Sequence, residues 1–76
     1  MRFYTRRGCH LCEAAETVLR NEQSRQPFSL AIFDIDADPE LRDLYNLLVP
    51  VTVLPGGEEL HYRVDVSRLR AALATS

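Results

Sequence analysis

The two cysteines of this 76-residue chain are separated by two residues, in Gly8-Cys9-His10-Leu11-Cys12, and that spacing restricts the local fold sharply. Arg2-Phe3-Tyr4-Thr5 ahead of them is β-prone, and Ala14 to Arg25 behind them has helical periodicity. On a helix, positions i and i+3 lie one above the other, so the sulfurs reach bonding distance with little backbone strain. Cys9 then falls at the helix N-terminus, where unpaired N–H groups and the helix dipole favour an anion. A thiolate is such an anion and is the reactive form of cysteine. A strand running into a helix through Cys-x-x-Cys therefore points to thiol redox chemistry.

Size limits the alternatives. Residues 1–76 are enough for one domain with a single core. A hydrophobic share of 46% and a charged share of 26% are ordinary for a globular protein. No apolar run approaches the roughly 18 residues needed to span a bilayer. The N-terminal segment reads as a strand with no charged-then-apolar leader, so export is not expected. The loop between the cysteines is too short to constrain an unfolded chain much, so a redox pair in the reducing cytoplasm is the better reading. A net charge of −2 argues against a nucleic-acid surface.

Along the chain, Leu11, Ala14, Ala15, Val18 and Leu19 are spaced to form one apolar helix face. The polar stretch Asn21 to Pro27 ends that helix. Phe28 to Ile35 reads as a strand, apolar on both faces toward its end, as for a parallel strand packed by helices on both sides. Asp38-Pro39 is a helix start, and Leu41, Leu44, Tyr45 and Leu48 form a second apolar face. Val51 to Leu54 is a third strand, Pro55-Gly56-Gly57 a turn, and Glu58 to Val64 an antiparallel return. Asp65 caps a last helix that buries Val66, Leu69, Ala72 and Leu73. The order is β-α-β-α-β-β-α, closed by a right-handed crossover and a hairpin on one sheet.

Other signals read plainly. Asp34-x-Asp36-x-Asp38 begins like a calcium loop but has Pro39 at its sixth position and Tyr45 at its twelfth, so it is a strand end and helix cap. Zinc needs two more ligands than the cysteines supply, and His10 and His61 have no suitable spacing, so no metal is expected within one chain. Phe3, Phe28 and Phe33 are expected in the core. Tyr62 is the aromatic residue expected to line the site. His10 has two readings, a cation beside the thiolate or a solvent-facing residue of the first helical turn. Arg7 reads as a solvated loop residue.

Nearly the whole chain resembles the glutaredoxin branch of the thioredoxin superfamily, and most closely its short bacterial glutaredoxin-like proteins with a Cys-His-Leu-Cys site. The landmarks are Tyr4 to Cys12, Asp34-Ile35-Asp36, Val49-Pro50-Val51 and Asp65. The resemblance implies an α/β thioredoxin-like fold, with a mixed sheet of order 2-1-3-4 and helices on both faces. It implies that Pro50 is cis and faces the disulfide, that Cys9 is the nucleophile and that Cys12 is the resolving thiol. By the same resemblance, Val49 and Pro50 offer a backbone edge to a substrate disulfide or glutathione. Arg6 takes the place of a lysine that meets a glutathione carboxylate, and Asp65 helps to hold the glutamyl end. One departure stands out. Where glutaredoxins typically have Gly-Gly, two and three residues before that aspartate, this chain has Tyr62 and Arg63, which should crowd or reshape the pocket.

The expected activity is that of a small, monomeric thiol–disulfide oxidoreductase with no bound cofactor. Its expected partners are a disulfide-bearing protein or low-molecular-weight thiol, with glutathione or a flavoenzyme reductase as electron donor, and neither nucleic acid nor membrane. The alternative is a thioredoxin-fold adaptor, or a metal or iron–sulfur module, using the same cysteines without turnover.

Overall fold

The computed structural model describes residues 1–75. The elements are β1 (Arg2–Thr5), α1 (His10–Arg25), β2 (Ala31–Asp34), a 3₁₀ turn (Ile35–Ala37), α2 (Pro39–Tyr45), β3 (Val51–Val53), β4 (Glu59–His61) and α3 (Val66–Thr75). The strands form one sheet in the order β2-β1-β3-β4. β1 is parallel to β2 and antiparallel to β3, and β4 is antiparallel to β3. This is the thioredoxin-like arrangement that the resemblance implies.

Side chains alternate across a strand, and here the alternation divides the core into two halves. Phe3 and Leu60 join Leu54, with Ala15 and Leu19 from α1 and Leu69 from α3, in one cluster. Tyr4, Val51 and Val53 join Ile35 in the other, beneath Leu41 and Tyr45 of α2. Phe3, Leu19 and Leu69 are fully buried, and each stabilises the fold by about 1.5–3 kcal/mol relative to an exposed side chain.

Short polar residues set the helix ends. Asp34 accepts the Asp36 N–H at 2.9 Å, Asp38 accepts the Glu40 N–H at 2.9 Å, and Asp65 accepts the Arg68 N–H at 3.2 Å. Pro39 occupies the first turn of α2, where its missing N–H costs nothing. Among the described residues, no helix is long and apolar enough to cross a membrane.

Several expectations need correction. β2 is shorter than Phe28 to Ile35, lies at the sheet edge, and has its first three residues exposed where cover on both faces is expected. Phe33 is exposed there, with its ring stacked on Tyr4 at 5.2 Å, and Phe28 is only half-buried. An edge strand has a neighbour on one side only, and the apolar run hid that position. Leu11 and Ala14 are exposed, because the buried stripe of α1 runs through Cys12, Ala15, Leu19 and Glu22. No residue of α2 is fully buried, and Leu44 faces outward. In α3 only Leu69 is fully buried, while Val66, Ala72 and Leu73 are half-buried. β4 stops at His61, where Tyr62 takes a positive φ of 68° and turns the chain out of the sheet.

Candidate active site

The site begins at a turn. Gly8 has a φ of 70°, a conformation that costs glycine little and other residues more. That turn carries the chain from β1 to Cys9, which is the N-cap of α1. Cys9 and Cys12 are joined by a disulfide, with their Cα atoms 5.2 Å apart. The Cys12 N–H donates to Cys9 Sγ at 3.1 Å, so a sulfur stands where a capping oxygen usually does. The two cysteines differ in access. Cys9 is partly open to solvent, whereas Cys12 is 1% exposed.

The other residues singled out in the sequence are engaged in different ways. His10 is on the first turn of α1 with its side chain 99% exposed, and its nearest charged partner is Glu13, at 3.7 Å. It is the solvent-facing residue of the two readings. The Val49–Pro50 peptide is cis, as the resemblance implies, and Pro50 is fully buried. Val49 spends its N–H on the Tyr45 carbonyl at 3.1 Å. Asp65 is drawn into α3, where it accepts the Arg68 N–H and lies 3.7 Å from that arginine's Nε.

Arg6 is also engaged. It donates from Nε and Nη2 to both carboxylate oxygens of Asp36, at 3.2 and 2.7 Å, and from Nη1 to the Asn46 carbonyl at 3.3 Å. Such a two-pronged pair has the geometry that suits guanidinium to carboxylate. The hydrogen bond from Arg6 holds the Asp36 carboxyl below the usual carboxylate range. The same bond raises the Arg6 pKa. The pair ties the loop ahead of Cys9 to the 3₁₀ turn that follows the neighbouring strand β2.

Tyr62, the aromatic residue singled out in the sequence, makes two bonds to the segment ahead of β3. Its N–H donates to the Pro50 carbonyl at 2.8 Å, and its phenol donates to the Leu47 carbonyl at 2.8 Å. The turn after β4 is thereby fastened to the segment that leads into β3. Tyr62, Arg63 and Val64 form one side of a groove of about 330 Å³, opposite Leu11, Ala14 and Val18 of α1. Leu11, the residue between His10 and Cys12, joins this groove to the disulfide.

Three participants escaped the sequence reading. Leu47 is 82% exposed beside Tyr62, and its signal was a Leu-Leu-Val run longer than a short helix face can bury. Val64 read as the end of a strand and instead lines the groove. Glu22 read as part of a polar tail but is 8% exposed and grips Arg70 through both carboxylate oxygens, at 2.8 and 3.1 Å. Its i, i+3 spacing from Leu19 was the only sign of burial. Among the described residues, no group of three or more His, Cys, Asp or Glu side chains is placed to hold a metal ion.

Comparison with known proteins agrees with this geometry. Residues 1–74 match the glutaredoxin-like domain family (DUF836). The chain is 34% identical over 77 aligned positions to the uncharacterized protein Rv0508 of Mycobacterium tuberculosis, covering 95% of this chain and 79% of that one. The solution structure of protein Ne2328 from Nitrosomonas europaea superposes with a TM-score of 0.75 at 39% identity, over 92% of this chain and 85% of that one. The X-ray structure of target protein XcR50 from X. campestris gives a TM-score of 0.71 at 37% identity, over 99% and 96% of the two chains. With its Cys-x-x-Cys disulfide at the head of α1, this chain belongs to the glutaredoxin-like domain family.

Proposed function

We propose that this protein is a small thiol–disulfide oxidoreductase that works through the Cys9–Cys12 couple. One observation carries the reading: Cys9 is partly open at the N-cap of α1, with the Cys12 N–H on its sulfur, while Cys12 is enclosed. When the pair is reduced, the helix N-terminus and that N–H favour the Cys9 thiolate. The thiolate attacks one sulfur of a substrate disulfide, forms a mixed disulfide and expels the other sulfur as a thiol. Cys12, as thiolate, then attacks Cys9 Sγ. The intramolecular disulfide forms and the substrate leaves with both sulfurs reduced.

The oxidised couple is returned to the dithiol by two electrons from glutathione or a flavoenzyme reductase. No resident cofactor enters the cycle. We place this chemistry in the cytoplasm, where such reductants operate.

Trapping tests the assignment of roles. Cys12→Ser should accumulate a mixed disulfide at Cys9 when the protein meets a disulfide substrate, and Cys9→Ser should lose exchange. Full exchange activity in Cys9→Ser would remove Cys9 as the nucleophile.

A further inference from the structure

We propose that the groove beside Cys9–Cys12 receives a protein segment with an apolar side chain and a carboxylate next to its disulfide-bonded cysteine, in preference to glutathione. The proposal rests on the thiol–disulfide reading above and names its substrate class. The groove walls are Leu11, Ala14 and Val18 on one side and Tyr62 and Val64 on the other, with Arg63 at the edge. The exposed side chain of Leu47 stands beside Tyr62 and extends the apolar surface. The Arg63 N–H donates to the His61 carbonyl at 2.9 Å, but its guanidinium has no hydrogen-bond or ion-pair partner among the described residues, so a cation stands free at this apolar groove.

The means of holding glutathione are correspondingly reduced. Glutathione is a small polar molecule with two carboxylates and an ammonium group. Of the residues that the resemblance assigns to its ends, Arg6 is committed to Asp36 and Asn46, and Asp65 to Arg68. Tyr62 stands where a glycine would let glutathione approach the backbone, and its two hydrogen bonds keep it there. Apolar walls would strip water from glutathione's charges and leave Arg63 alone to pair them. A leucine or phenylalanine beside the reacting cysteine gains from the same walls, and a neighbouring glutamate pairs with Arg63.

Three probes carrying the same leaving group test this on the full-length Cys12→Ser protein. They are mixed disulfides of thionitrobenzoate with the peptide Leu-Cys-Phe-Glu, with the peptide Ser-Cys-Ser-Lys, and with glutathione. In each, the Cys9 thiolate attacks the peptide sulfur, forms the protein–peptide disulfide and releases thionitrobenzoate, which is read by its absorbance. The apolar, acidic peptide should react about tenfold faster than either of the others. Arg63→Glu should slow that peptide about threefold and speed the lysine peptide by a similar factor.

Equal rates for all three probes, or glutathione as the fastest, would overturn the groove assignment and leave the redox reading intact. No release from any probe would overturn both. Self-association that hides Leu11 and Tyr62, seen by sedimentation, would assign the groove to a second copy of the chain and overturn the proposal.

Discussion

The phenol of Tyr62 donates to the Leu47 carbonyl at 2.8 Å, and this bond crosses from the turn after β4 to the segment ahead of Pro50. Tyr62 makes it from a backbone with φ of 68°, a region that disfavours side chains with a Cβ. A bulky residue persists there only when its contacts exceed the backbone penalty. Here those contacts are the bonds to Leu47 and Pro50, with the His61 ring edge-on at 6.4 Å.

Two substitutions separate these effects. Tyr62→Phe keeps the backbone penalty and loses the phenol bond, so it should destabilise by about 1 kcal/mol. Tyr62→Gly loses the bond but relieves the backbone, so it should be more stable than Tyr62→Ala by about 1 kcal/mol. Urea unfolding of the three variants measures both differences. A Gly variant no more stable than the Ala variant would remove the strain argument.

The clasp between Glu22 and Arg70 is the second test. It joins α1 to α3 through two hydrogen bonds, with the Glu22 side chain 10% exposed and the Arg70 side chain 49% exposed. Glu22→Gln should cost about 2 kcal/mol, in the range of hydrogen bonds to charged groups. Arg70→Ala should cost at least as much, because it leaves a carboxylate enclosed with only Arg25 near it, at 3.7 Å. In a double-mutant cycle the two losses should be less than additive. Additive losses would show that the residues act independently.

These two cases mark what could be read from the sequence. Cys9, Cys12 and the cap at Asp38 follow from local rules, because spacing and short-range hydrogen bonding determine them, whereas the strand order comes from the family resemblance. Leu11 and Leu44 misled the reading, because periodicity identifies an apolar stripe and not what covers it. Phe33 misled it because edge and central strands can share a composition. Arg6 and Asp36 are 30 residues apart, and no local pattern announces their bond. The redox pair was legible because it is local; the groove beside it was not, because two distant segments build it.

The Arg6–Asp36 pair gives a pH prediction. Asp36 has a folded-state pKa held below its unfolded value, so its contribution is present above the ordinary carboxylate range and is lost as pH falls through the folded value. Arg6, already charged throughout, adds no step of its own. Acid unfolding of Asp36→Asn should therefore lack part of the stability loss that the parent shows below about pH 4. Both side chains are partly exposed, so the difference should shrink in high salt. Identical acid profiles would contradict the assignment.

Tyr45 gives the opposite sign at high pH. Burial, followed by the nearby charge of Glu59, raises its pKa, and its phenol donates to Glu59 Oε2 at 3.2 Å. Its contribution is present below the ordinary phenol range and is lost as pH rises through the raised value. Ultraviolet titration of the three tyrosines should show a late step that Tyr45→Phe removes. Persistence of that step in Tyr45→Phe would assign it elsewhere.

The central claim is that Cys9 and Cys12 form a working dithiol–disulfide couple, and equilibration across a series of glutathione redox buffers tests it most directly. The protein is quenched at each potential with an alkylating agent and weighed by mass spectrometry. The account predicts a reversible change from the doubly alkylated dithiol to an unalkylated disulfide, with a single midpoint that both Cys9→Ser and Cys12→Ser abolish. Two thiols that stay free and alkylated across the whole range would contradict it.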